Sequence, residues 1–189
     1  NIMHKYYNIY YFIDRFNIKE LSNINIKINL IYRNYNSSNY LDELLKIKKF
    51  CKRKNFKFYL ANNTKIAKRL DLDGVYLPSF NKNLKYSNLN LKKRFKVIGS
   101  AHNISEIKTK EKQNCEYIFL SPLFKTNKHK HYLNIIKFNL ISNVTKRKIV
   151  CLGGINLSNL KKINLTKSEG IASISWIKKN GLNKNLGRF

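Results

Sequence analysis

The feature that most constrains this chain is an alternation. Eight short runs of apolar, β-branched and aromatic residues are separated by longer polar stretches with a helical period. The runs are Asn8–Ile13, Ile26–Tyr32, Phe56–Leu60, Gly74–Leu77, Phe95–Ile98, Tyr117–Ser121, Ile149–Leu152 and Gly170–Ser173. Between them the pattern predicts helices over Tyr40–Lys52, Thr64–Leu70, Ser105–Lys112, Ile135–Val144 and Leu157–Ile163. Leu41, Leu44, Leu45 and Lys48 carry the i, i+3, i+4, i+7 spacing, with Ser38 or Asn39 placed to cap that helix. Ser105 with Glu106, and Ser158 with Asn159, read as helix openings of the same kind, while Ile18–Ile24 and Leu84–Leu89 read as short irregular crossovers. Strands that alternate with helical crossovers pair in parallel, and eight such units close into a (β/α)8 TIM barrel. At 189 residues the α/β barrel is small and its helices must be shortened. A doubly wound open sheet is the alternative. Seven Gly, two Pro, no internal repeat and no low-complexity linker predict a single domain over 1–189.

Composition excludes more than it selects. Hydrophobic residues make up 43% and aromatics 13%, enough to build a core and to exclude wholesale disorder. The densest apolar stretch, Tyr6 to Ile13, is interrupted by Asn8 and closed by Asp14, so it is too short to span a membrane. It also lacks a small-residue cleavage site, which points to a cytoplasmic protein. Cys51, Cys115 and Cys151 are odd in number and far apart, and form neither a disulfide framework nor a C-x-x-C pair. Thirty-eight Lys and Arg against ten Asp and Glu give a net charge of +28. That excess is mostly Lys and accompanies heavy use of Asn, Ile, Tyr and Phe, residues that share AT-rich codons. It is spread along the chain without a basic tail or an RNA-binding consensus, which disfavours nucleic acid as the partner.

In a parallel barrel the residues just after each strand build the site. The sharpest exit is Cys151-Leu152-Gly153-Gly154-Ile155, where a buried strand runs into a glycine pair. Paired glycines let backbone approach a ligand, and a following helix would present free N–H groups to an anion. The same pair could equally do no more than make a tight turn. The neighbouring exit is Ser173-Ile174-Ser175, and phosphates commonly bind between the seventh and eighth loops of such barrels.

Six segments in register at strand ends resemble the thiamine-phosphate synthases. Ser100-Ala101-His102 followed by Glu106 resembles their "SAHxxxE", and Glu116 to Thr126 resembles "DYVxLGPVFPT". Cys151 to Ile155 is similar to "xIGGI", Gly170 to Ser175 to "GVAVIS", Leu72 to Leu77 to "ADGVHL", and Tyr11 to Arg15 to "LVTDR". The likeness runs from about residue 10 to residue 177. It implies an enzyme of thiamine biosynthesis, a transferase joining hydroxymethylpyrimidine diphosphate to thiazole phosphate with release of pyrophosphate. The implied cofactor is Mg2+, and the implied partners are those two small phosphorylated substrates, with no membrane and with a homo-oligomer allowed. By position, the resemblance gives Arg33 and Ser100 to the diphosphate. It places Thr126, Gly153, Gly154, Ile174 and Ser175 around the thiazole phosphate. His129, flanked by Lys128 and Lys130, falls where the family has a lysine. His102 reads as a packing or loop-fixing residue.

Two departures bear on the chemistry. The family's "QxRxK" becomes Ile31-Tyr32-Arg33-Asn34-Tyr35, and both positions expected to supply Mg2+ carboxylates are amides, Asn62 and Asn81. An amide oxygen brings no charge to a hard cation. Asn62 is assigned to substrate as well as metal. The alternative readings are a barrel that binds thiazole or thiamine phosphates without coupling them, and an anionic-surface binder. The related thiazole tautomerase has its catalytic histidine where this chain has Pro122.

Overall fold

A strand buried on both faces needs apolar residues at consecutive positions, and that is how the eight runs are used. In the computed structural model, which describes residues 8–34, 40–85, 92–127 and 131–173, they form one closed parallel barrel in sequence order. The strands are β1 (Asn8–Ile13), β2 (Asn29–Tyr32), β3 (Lys57–Ala61), β4 (Gly74–Leu77), β5 (Lys96–Ala101), β6 (Tyr117–Leu120), β7 (Lys148–Leu152) and β8 (Gly170–Ser173). The helices are α1 (Ile18–Ser22), α2 (Tyr40–Lys54), α3 (Thr64–Arg69), α4 (Ile104–Lys112) and α5 (Asn134–Ser142), followed by a 3-10 helix at Leu160–Leu165. Closure is made by β1 pairing with β8, Asn8 beside Gly170.

Alternation along each strand sorts side chains into two cores. Tyr10, Phe12, Ile31, Tyr59, Ile98 and Phe119 belong to the cluster inside the barrel. Their neighbours Ile9, Tyr11, Leu30, Phe58, Val97 and Ile118 pack outward under the helices. The interior is filled with large rings rather than the usual branched aliphatics. Phe119 meets Tyr10 edge-on at 4.7 Å and Tyr76 at 5.6 Å, the geometry that aromatic quadrupoles favour. The same alternation fixes the mouth: Arg33 follows Ile31, Ser100 follows Ile98 and Ser121 follows Phe119, so each falls in inward register one step above the core.

The structure corrects several boundaries. β5 runs on to Ala101, which puts Ser100 inside the strand, and β2 begins only at Asn29. Ile18–Ile24 is not irregular throughout: it contains α1, capped by Asn17, whose side chain accepts from the Glu20 N–H at 3.2 Å. A five-residue helix is too short to leave a periodic signal. α4 is capped by Asn103 rather than opened at Ser105. Leu157–Ile163 is not an α-helix but gives way to the 3-10 helix, whose Asn159 cap makes no side-chain bond to it. Ser38, Asn39 and positions 86–89 of the Leu84–Leu89 crossover lie outside the described residues. Among the described residues no helix is long and apolar enough to cross a membrane.

Candidate functional site

The site is built on consecutive strand exits. Arg33 follows β2, its N–H donating to the Ile13 carbonyl at 2.7 Å and so extending the ladder between β1 and β2. Its guanidinium carbon stands 5.1 Å from the centroid of Phe12, a ring of the barrel interior, which places the cation over the mouth. A cleft of about 100 Å3 opens beside it, lined by Phe12, Asp14, Arg15, Glu20 and Arg33 among others. Ser100 is buried near the end of β5, level with Phe119 of β6.

Between them lie the β3 and β4 exits. Asn62 adopts a left-handed backbone (φ 58°), tolerated by Asn, and its N–H donates to the Tyr76 carbonyl at 2.8 Å. Asn81 closes a turn on the Pro78 carbonyl, and its Nδ2 donates to Asn62 Oδ1 at 2.6 Å. The two positions singled out from sequence are therefore brought into contact. The β4 loop is held from beneath by α4. Lys110, with no exposed surface, donates at 2.8 Å to the Pro78 carbonyl, the Asn81 carbonyl and Gln113 Oε1. Three N–H groups meet three acceptors, so the buried ammonium is fully satisfied. Burial holds its pKa below the ordinary lysine value. Its stem crosses β5 over Gly99, where a Cβ would lie 2.9 Å from Lys110 Cδ and 2.8 Å from the Leu77 carbonyl oxygen.

The β6 and β7 exits are stitched together. Leu123 N–H donates to the Leu152 carbonyl at 2.9 Å, and Phe124 N–H to the Gly153 carbonyl at 3.1 Å. Gly153 and Gly154 take φ values of 94° and 70°, which side chains disfavour. A Cβ on Gly154 would stand 2.5 Å from the Phe124 carbonyl oxygen. The glycine pair thus makes both a tight turn and a close approach, and the backbone it approaches is the β6 loop. The helix expected directly after it starts only at Leu160, so no helix N-terminus adjoins the pair. Thr126 lies half-buried farther along the β6 loop. Lys128, His129, Lys130, Ile174 and Ser175 lie outside the described residues.

His102 is tied down rather than poised. Its N–H and Nδ1 meet Glu106 Oε2 at 2.7 and 2.9 Å, while Asn103 Oδ1 accepts from the Glu106 N–H. This is a reciprocal cap on α4. Glu106→Ala is expected to cost about 1 kcal/mol and lower Tm by roughly 2–4 °C, read by thermal melting; an unchanged Tm would remove the cap from the account. The three cysteines are free and buried, and burial pushes each thiol up to about 12, which leaves them unreactive near neutrality.

Sequence reasoning missed Lys110, which falls within the expected helix Ser105–Lys112, and Gln113, just beyond it. The one trace in the sequence is Gly99, a glycine inside a strand that marks a close approach.

The residues present do not fit Mg2+. Asn62 Oδ1 is occupied by Asn81, and Asn81 Oδ1 accepts from the Asn83 N–H at 3.0 Å and from Gln113 Nε2 at 3.2 Å. A lysine ammonium, that of Lys110, stands 2.8 Å from the Asn81 carbonyl oxygen. Among the described residues no three His, Cys, Asp or Glu side chains form a group able to hold a metal.

A closed parallel barrel whose mouth carries an arginine, a buried serine and an amide pair on one side, and a glycine turn on the other, belongs to the class of (β/α)8 barrels. The family model for thiamine monophosphate synthase matches residues 19–177, and the chain belongs to that family. A thiamine-phosphate synthase of Pelagibacter ubique is 33% identical over 75% of this chain and 69% of its own length. One from Prochlorococcus marinus is 30% identical over 77% of this chain, which spans 41% of that relative's length. Among solved structures, thiamine phosphate pyrophosphorylase from Pyrococcus furiosus superposes with a TM-score of 0.75 over 95% of this chain and 91% of its own. At 17% identity that match supports the barrel fold.

Proposed function

We propose that the protein is a thiamine-phosphate synthase-like transferase acting on hydroxymethylpyrimidine diphosphate and thiazole phosphate. The observation that carries the reading is the division of the mouth. Arg33, Asn62 and Asn81 follow β2, β3 and β4 and Ser100 lies near the end of β5, whereas Thr126, Gly153 and Gly154 occupy the stitched exits of β6 and β7. Two anionic substrates need two such places. In the reaction the bond from the pyrimidine methylene to the diphosphate oxygen breaks, pyrophosphate takes the electron pair, and the thiazole nitrogen forms the new bond to carbon. The protein's task is electrostatic: donors must face the bridging and terminal oxygens as charge builds on them. Arg33 would supply a bidentate cation there, and Ser100 a hydroxyl donor. The lysines and histidine at 128–130 would neutralise the departing pyrophosphate. In this reading the protein acts in the cytoplasm, and Gly153, Gly154, Ile174 and Ser175 cradle the thiazole phosphate.

The test is direct turnover. Both substrates are mixed with the protein, with and without Mg2+, and thiamine phosphate is followed after oxidation to fluorescent thiochrome. Product is expected, and Ser100→Ala is expected to lower kcat/KM about tenfold, the effect of one hydrogen bond to a charged group. The absence of product, with thermal stabilisation by both phosphates, would establish instead a binding barrel. The amide pair at the metal positions is the observation that favours this second reading.

A further inference from the structure

An amide side chain can be turned over without changing its shape, so its orientation is fixed only by its partners. Here the partners leave no freedom. Lys110 can only donate, and it donates to Gln113 Oε1, which turns Gln113 Nε2 toward the β4 loop. Gln113 Nε2 donates to the Asn83 carbonyl at 2.9 Å and toward Asn81, at 3.0 Å from its carbonyl and 3.2 Å from its Oδ1. The Asn83 backbone N–H, also only a donor, fixes Asn81 Oδ1 a second time at 3.0 Å. Asn81 must therefore present Nδ2 to Asn62, and Asn62 must receive it on Oδ1. The chain of bonds runs Lys110, Gln113, Asn81, Asn62, each donating to the next, and it ends at the rim of the barrel with Asn62 Nδ2, a donor.

The surrounding sequence reinforces that polarity. No Asp or Glu occurs from Ala61 to Leu70 or from Pro78 to Ser105, so the β3 and β4 loops contain no carboxylate. The charge beneath them is a buried ammonium whose three contacts are all neutral oxygens. A cation site needs acceptors facing outward with negative charge behind them. This arrangement ends in a donor, Asn62 Nδ2, with positive charge behind the relay, the polarity of an anion site.

We propose that Asn62 Nδ2, oriented by the Lys110–Gln113–Asn81 relay, binds a diphosphate oxygen directly, and that this part of the site takes its anion without a divalent cation. The inference rests on the reading that a diphosphate enters this side of the mouth. Lys110, Gln113 and Asn81 are positioning residues, and Asn62 is the residue that touches the ligand.

Inorganic pyrophosphate, titrated calorimetrically in EDTA and again in excess Mg2+, tests both statements. Salt is held at roughly 0.3 M to suppress non-specific attraction to the basic surface. The wild type is expected to bind in EDTA, with Mg2+ changing Kd less than threefold. Asn81→Asp keeps the bond from the Asn83 N–H but turns an acceptor toward Asn62, which reverses the Asn62 amide. It is expected to weaken binding in EDTA about tenfold and to make binding depend on Mg2+. Asn62→Asp should do the same by placing a carboxylate at the end of the relay, and it stands as the second variant should the β4 loop not tolerate the first. Wild-type binding that requires Mg2+ would overturn the inference while leaving the diphosphate reading standing. Affinity in EDTA that is unchanged in both variants would also overturn it, by showing that the pyrophosphate binds elsewhere. Absence of binding under either condition would overturn the inference and the diphosphate reading together.

Discussion

Arg33→Ala is expected to lower kcat/KM for thiamine phosphate formation by roughly 100-fold, about 3 kcal/mol of transition-state stabilisation. The size follows from position. The guanidinium lies over the Phe12 ring at the mouth, anchored by a backbone that continues the β1–β2 ladder, and in the proposed reaction a bidentate cation would strengthen its hold as charge gathers on a leaving diphosphate. Removing it also forfeits the contact with the ring, worth about 0.5–1 kcal/mol, so the fold should survive. Arg33→Lys keeps the charge without the planar fork and is expected to recover about tenfold of the lost rate. The thiochrome assay measures all three proteins; a change below threefold for the alanine variant would take Arg33 out of the machinery.

The second large effect is on stability. Gly154→Ala forces a side chain into a left-handed backbone, which costs about 1–2 kcal/mol. It also drives a methyl group to 2.5 Å from the Phe124 carbonyl oxygen, so the β6 loop must move. A total near 3 kcal/mol is expected, lowering Tm by roughly 6–12 °C in a chain of this size. An unaltered melting temperature would contradict the close approach. Gly154→Asp carries the same steric cost and adds a carboxylate. Any further loss in it of stabilisation by thiazole phosphate, beyond the loss in the alanine variant, would measure the proposed phosphate cradle separately from packing.

Much of the barrel was legible because its strands are written as uninterrupted apolar runs. Asn8–Ile13, Gly74–Leu77 and Gly170–Ser173 needed no correction. What failed was local chemistry at helix starts. Asn17, Asn63 and Asn103 each cap a helix with a side-chain oxygen, yet in a chain so rich in Asn no single Asn stands out as a cap. The glycine pair was visible as a turn, but the tight fit against Phe124 depends on a loop more than twenty residues upstream. The exchange of carboxylate for amide at 62 and 81 was plain in the sequence. Which way those amides face was not, because it is decided by Lys110 and Gln113 on the far side of β5.

The aromatic filling of the barrel has a consequence for where charge can reside. Burial raises the pKa of the Tyr10 and Tyr59 hydroxyls well above the ordinary tyrosine value, first by loss of water and then by nearby negative charge, from Tyr59 and Tyr117 for Tyr10 and from Asp73 and Glu116 for Tyr59. Both hydroxyls therefore stay protonated at any pH the reaction would meet, and these two rings set no charge beneath the mouth. Arg33 at the rim thus meets a ligand from above neutral rings rather than above buried charge.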